Sequence, residues 1–184
     1  MSNVGPVICS EISLRLASPA DAECLSALAT QVFFETYATT GIRLALVREA
    51  QAQFNASSMA QGLIEPSRRT LLAEREGHLI AFAEVVIGAT HSLVSSASPA
   101  ELTRLYVQSP FLRRGIGRML LQRSEALALE ARASTLWLTA WVGNKRALAF
   151  YASQRYRELG STDHTFEGES FENRLFARVF RPEA

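Results

Sequence analysis

Hydrophobic positions along this chain change period several times, and each change marks a new element. Residues 11–16 alternate, with Ile12, Leu14 and Leu16 on one side and Ser13 and Arg15 on the other, which is the two-residue period of a half-buried strand. Ser18 then offers an N-cap, Pro19 a first helical position and Asp21 a first-turn acid. The helix they open runs to about Tyr37, with Leu25, Leu28, Val32 and Phe33 along one side. Thr39-Thr40-Gly41 ends it, and residues 42–63 read as further helix with a break near Asn55-Ala56-Ser57. Residues 70–74 and 79–87 make a hairpin around Arg75-Glu76-Gly77-His78, where Gly77 supplies the turn. Residues 88–100, rich in Ser, Ala and Thr and carrying Pro99, read as a mobile surface loop.

The second half is organised around a loop with two glycines. A strand containing Leu102, Leu105, Tyr106 and Val107 drops through a Ser-Pro turn into Leu112-Arg113-Arg114-Gly115-Ile116-Gly117-Arg118, and a helical pattern over residues 116–132 follows at once. Residues 134–142 are apolar on both faces (Leu136, Trp137, Leu138, Ala140, Trp141), which suits a strand covered on both sides. Residues 101–142 therefore read as one right-handed βαβ unit. A helix over 144–154, a strand at 156–159 and a last pair at 163–166 and 171–180 complete the order β-α-α-β-β-β-α-β-α-β-β.

A strand, a glycine turn and a helix start together form an anion site. Backbone N–H groups at the helix N-terminus are unpaired, the helix dipole favours negative charge there, and glycine allows close approach. Arg113, Arg114 and Arg118 add cations suited to a pyrophosphate. A dinucleotide fingerprint fails, because its third glycine position holds Leu120, and the P-loop pattern is absent. A solvated basic helix start explains this loop, taken alone, equally well.

Composition narrows the class. The chain has 184 residues, 48% of them hydrophobic, which fills a single core, so residues 1–184 are expected to form one domain. The net charge of +1 gives no bulk electrostatic case for nucleic acid or a membrane surface. Cys9 and Cys24 fit reduced thiols of a cytoplasmic protein. No apolar run approaches a membrane span, the N-terminal residues do not form a signal peptide, and no His, Cys, Asp or Glu spacing suggests a metal site.

The glycine loop resembles the acyl-CoA pyrophosphate loop of the GCN5-related N-acetyltransferase (GNAT) superfamily, with Leu112 where the family pattern has Gln or Arg. Residues 136–156, LWLTAWVGNKRALAFYASQRY, are similar to the segment that ends the CoA-binding half of the same family. The resemblance covers nearly the whole chain in element order, with its specific motifs in residues 101–156. It implies an α/β fold: a mixed, mostly antiparallel sheet with a splayed parallel strand pair, flanked by helices. It also implies acetyl-CoA as donor, no metal, and direct attack by a primary amine in a ternary complex, the amine being a polyamine, an amino acid or another small amine. No Cys-His or Ser-His arrangement points to an acyl-enzyme instead.

Carried over residue by residue, the resemblance assigns Arg113, Arg114, Gly115, Ile116, Gly117 and Arg118 to the pyrophosphate. Leu105, Tyr106 and Val107 would offer backbone groups to the pantetheine arm. Asn144 would touch the same arm, although an N-cap explains an Asn there. Tyr151 is expected near the CoA sulfur as the acid, against the plain alternative of a core aromatic. Glu101, at the start of its strand, matches the glutamate base of the family's histone acetyltransferases; a solvated strand-end carboxylate paired with Arg104 explains it as well. Glu84 is the competing carboxylate, while His78 at a hairpin tip, His91 at the start of a loop and His164 near the last turn are poor rivals.

For the acceptor, Phe33-Phe34-Glu35-Thr36-Tyr37 is similar to PaiA-type polyamine acetyltransferases, which singles out Glu35 and Tyr37. Glu49, Glu167, Glu169 and Glu172 are further carboxylates for a cationic polyamine, and ordinary surface charge explains them too. Other classes consistent with the sequence are a silent acyl-CoA-binding module and a protein N-terminal or lysine acetyltransferase. A nucleic-acid binder using Arg113, Arg114, Arg118 and Arg123 is disfavoured by Glu125 and Glu130 on the same helix. The apolar final strand (Leu175, Phe176, Val179, Phe180) fits an edge for pairing in a homodimer, or an internal strand.

Overall fold

Seven strands join in one mixed sheet in the computed structural model, which describes residues 12–166 and 168–180. In chain order the elements are β1 (Ile12–Leu16), α1 (Ala22–Tyr37), α2 (Leu44–Phe54), α3 (Ala56–Ile64), β2 (Arg68–Arg75), β3 (His78–Ile87), β4 (Pro99–Val107), α4 (Ile116–Glu130), β5 (Thr135–Trp141), α5 (Lys145–Ser153), β6 (Arg157–Phe166) and β7 (Glu169–Val179). The sheet order is β1-β2-β3-β4-β5-β7-β6; β4 and β5 run parallel and the other neighbours antiparallel. This is the fold class expected from the sequence.

Local chemistry sets the boundaries. The Asp21 carboxylate accepts from the Ser18 amide at 2.8 Å and takes both ends of the Arg15 guanidinium, tying the α1 entrance to β1. Asn55 ends α2 in extended backbone and caps α3 by accepting from the Ser58 amide at 2.9 Å, which is the predicted break. Glu76 and Gly77 both have positive φ (54° and 77°), the backbone of a two-residue hairpin turn.

The central strands bury both faces. On β2, Leu71 and Ala73 face α4, with Ile116, Leu120, Leu121 and Leu127, while Leu72 joins Leu25, Val32, Phe33 and Phe54 of α1 and α2. Each fully buried leucine of this kind contributes about 1.5–3 kcal/mol. Glu125, on the buried side of α4, accepts from Arg178 at 2.7 Å and from the Tyr156 hydroxyl at 3.0 Å, so its charge is paired.

Two expectations change, and one open alternative is decided. Pro99 and Ala100 are buried residues of β4, and the loop 88–98 is tethered rather than loose: the Trp137 indole donates to the Ala89 carbonyl at 2.9 Å, and His91 packs on the same ring. The two pieces predicted at 156–159 and 163–166 are one strand, β6, with a register shift between Glu158 and Gly160. β7 is internal, flanked by β5 and β6, so Leu175 and Phe176 serve the core and not a sheet edge, while Val179 at its end is exposed. Glu11 and Cys9 lie outside the described residues; Cys24 is an exposed free thiol. No helix among the described residues is long and apolar enough to cross a membrane.

Candidate active site

β4 and β5 pair from Pro99–Thr135 to Glu101–Trp137 and then part. Beyond that point β4 bonds on to β3 and β5 on to β7, leaving a wedge between them. A cavity of about 670 Å³ fills this wedge, lined by residues 101–107 of β4, Thr139, Ala140 and Trp141 of β5, and the helix ends on either side. The register of β4 against β3 slips by one residue: Glu101 faces Val86, Leu102 faces Val85, yet Arg104 faces Glu84. That extra residue at Thr103 returns Arg104 to the same sheet face as Glu101, which strict alternation would forbid.

On the α4 side, the wedge ends at the glycine loop. Gly115 occupies the left-handed region (φ 82°), with nothing within 4 Å of where a Cβ would stand, and Arg113 is also left-handed (φ 58°). Met119 makes the first helical bond, to the Gly115 carbonyl, so the amides of residues 116–118 have no partner among the described residues. Arg113, Gly115, Gly117 and Arg118 line the cavity; Arg146 of α5 adds a cation that the sequence reading missed. Open amides at a helix N-terminus, a glycine cradle and three guanidinium groups fit a pyrophosphate. Two predicted residues do not face it. The Ile116 side chain is 1% exposed in the core beneath α4, leaving only its amide, and Arg114 lies over the Phe111 ring outside the lining.

Asn144 caps α5 by accepting from the Ala147 amide at 3.1 Å, and it also lines the cavity. Two α5 turns later, Tyr151 packs among Phe150, Tyr156 and Phe176. Its ring is buried, its hydroxyl has no hydrogen-bond partner among the described residues, and it lines the wedge. Burial, reinforced by Tyr106, pushes its pKa above the ordinary phenol range, so it keeps its proton at neutral pH.

On the other side, α1, α2, β5, β6 and β7 wall the cavity with Phe33, Tyr37, Phe54, Trp141 and Phe171, together with Gln53, His164 and Asn173. Tyr37 lines the cavity, but Glu35 does not. Its carboxylate faces Gln31 and accepts from the Ser109 hydroxyl at 2.8 Å, outside the lining. Glu101 lines the cavity, half-buried, and its pKa is raised by desolvation and then by the nearby Glu84 charge. The expected Glu101–Arg104 pair is not formed. Arg104 binds Glu84 at 2.5 Å and lies over the Phe54 ring. Glu84, 3% exposed, also accepts from Arg68 and Thr103 at 2.7 Å each, and so is committed to structure, away from the cavity.

The remaining predicted carboxylates stand outside the lining: Glu49 bonds to the lining residues Gln53 and His164, Glu169 pairs with Arg43, and Glu172 with Arg174. Glu167 lies outside the described residues. His164, set aside in the sequence, does reach the cavity, because β6 runs on as one strand past α2. Among the described residues no group of three or more His, Cys, Asp or Glu side chains could hold a metal.

Residues 31–155 match the model of the acetyltransferase (GNAT) family. An uncharacterized N-acetyltransferase in the pepI 3′ region of Lactobacillus delbrueckii subsp. lactis is 21% identical over 140 residues, covering 76% of this chain and 80% of that one. The fold is shared with PaiA N-acetyltransferase from Thermoplasma acidophilum, whose crystal structure contains coenzyme A (TM-score 0.72, 20% identity, 92% of this chain and 99% of that one). It is shared too with a GCN5-related N-acetyltransferase structure from Rhodopseudomonas palustris (TM-score 0.72, 22% identity, 96% and 100%).

Proposed function

The chain belongs to the acetyltransferase (GNAT) family, and we propose that its wedge between β4 and β5 transfers the acetyl group of acetyl-CoA to a primary amine. The observation that carries this reading is a single cavity joining the open α4 amides, the splayed β4, the protonated Tyr151 and the half-buried Glu101.

When bound, acetyl-CoA supplies an activated acyl group on a thioester. The open amides of residues 116–118, with Arg113, Arg118 and Arg146, hold its pyrophosphate. The backbone of Leu105, Tyr106 and Val107, unpaired on the β5 side, receives the pantetheine amides like an added strand, and a β4 N–H polarises the thioester carbonyl. Asn144 keeps its carbonyl oxygen on the α5 cap and turns its amide nitrogen to the same arm. Glu101 takes the proton that the ammonium must lose, directly or through water. Nitrogen then bonds to the acyl carbon and loses its second proton to water, the carbon–sulfur bond breaks, and Tyr151 gives its proton to the departing thiolate. The products are an N-acetyl amine and free CoA thiol. Tyr151 regains its proton from solvent, so one proton is released per ammonium consumed.

A free-thiol assay with acetyl-CoA over a panel of amines, run beside a thermal shift with CoA, tests the reading. CoA-dependent stabilisation with thiol release on addition of one amine class is the expected result. No stabilisation by CoA would overturn it.

A further inference from the structure

Resting on the acetyltransferase reading, we infer that the acceptor is a primary monoamine with an aromatic or comparably bulky apolar body, and neither a polyamine nor an amino acid. The wall opposite the phosphate end carries the first argument. Tyr37, Trp141 and Phe171 pack on one another with ring centroids 5.2, 6.1 and 6.2 Å apart, and Phe33 lies 4.8 Å from Tyr37. These rings come from α1, β5 and β7, and each of them lines the cavity. Mutual packing fixes their orientation before anything binds, so an apolar body meets a preformed surface.

The second argument is charge. The salt bridges at the base of the wedge use Arg68 and Arg104 against Glu65 and Glu84, which balances two cations with two carboxylates. Glu101 is left with no ion-pair partner among the described residues, and it is the acidic side chain in the cavity lining. One ammonium neutralises it. A second or third ammonium of a polyamine would meet aromatic rings, Gln53 and His164, since Glu35, Glu169 and Glu172 are engaged away from the lining and the Glu49 carboxylate, behind the wall, is held by Gln53 and His164. The carboxylate of an amino acid would have to compete with Glu84 for Arg104.

Initial rates of thiol release by the full chain at saturating acetyl-CoA, with phenethylamine, tyramine and tryptamine against putrescine, spermidine and phenylalanine, test the inference. At least one arylalkylamine should exceed both polyamines and phenylalanine by tenfold or more in kcat/KM. Trp141→Leu and Phe171→Leu should each raise its KM at least fivefold while the KM for acetyl-CoA stays within twofold, a split that general loss of packing would not give. Preference for spermidine or phenylalanine would overturn the inference and leave acetyl transfer standing, as would a wholly inert panel with acetyl-CoA bound. Failure of acetyl-CoA to bind would instead sink the acetyl-transfer reading. Thermal stabilisation by tyramine alone, abolished in Phe171→Leu, would then still support the aromatic wall, and its absence would overturn it.

Discussion

The two ends of the wedge are built from different materials. The α4 end is made of backbone: a glycine with φ 82° and three open amides, consecutive in sequence and needing only guanidinium groups around them. The opposite end is made of side chains from α1, α2, β5, β6 and β7, held by ring contacts and ion pairs between elements far apart in the chain. A site made of backbone tolerates change in side chains that do not enter it, and depends on the few positions where a side chain would intrude. A site made of side chains behaves in the opposite way, and its specificity can be altered one ring at a time.

The sharpest way to break this contrast is to fill the backbone end. At Gly117 a Cβ would meet only Phe150, at 3.8 Å, so a larger side chain projects into the wedge without colliding with the core. Gly117→Trp should weaken CoA binding about 1000-fold, or ~4 kcal/mol, while the thermal midpoint without ligand changes little. Calorimetric titration with CoA checks this; unchanged affinity would remove the phosphate end from this loop. Tyr151→Phe comes next. Removing a single hydroxyl with no partner among the described residues leaves the ring packing intact, so kcat should fall by about 10²-fold with the CoA dissociation constant unchanged. Wild-type kcat across the pH range would end its role as acid.

These two residues were legible before the fold because their signal is local. Gly115, Gly117, Asn144 and Tyr151 sit within two short motifs, and the order of strands and helices followed from changes in hydrophobic period. What stayed hidden depended on contacts between distant segments. Glu35 read as an acceptor carboxylate by its place in an aromatic run, yet Ser109, 74 positions away, claims it. His164 reads as a residue near the last turn, yet β6 runs from Arg157 to Phe166 as one strand and brings it to the cavity. The Arg104–Glu84 pair stayed hidden because the bulge at Thr103, which sets Arg104 directly opposite Glu84, leaves no trace in the alternation.

Glu101 stands where the two ends meet, and its variant should have a smaller effect. Glu101→Gln should lower kcat/KM at neutral pH on the order of tenfold, less than a typical catalytic base, because water in an open wedge also accepts the amine's proton. The pH dependence is the more telling readout. A base with a raised pKa makes activity climb with pH through a range above that of ordinary glutamates, and the Gln variant should lose that acid limb. Stability moves the other way. Because the folded pKa lies above the unfolded one, the fold favours the protonated carboxyl, and wild-type stability falls as pH rises from the unfolded pKa through the folded one. The Gln variant should therefore match wild type in acid and melt higher at neutral pH; equal midpoints at both would mean that Glu101 is solvated.

The smallest expected effect separates two reasons for a glycine. Gly115 is left-handed and has open space where a Cβ would stand, so Gly115→Ala has no steric conflict within the protein and only backbone strain, costing about 1 kcal/mol. Asparagine tolerates the left-handed region better than alanine, so Gly115→Asn should recover part of that loss in thermal midpoint. CoA affinity then decides what the open space is for. If it tracks stability, falling with Ala and partly returning with Asn, the glycine serves only to turn the chain into α4. If both variants bind CoA poorly whatever their stability, the missing Cβ is itself the cradle, and the backbone end of the wedge is shaped by the ligand that occupies it.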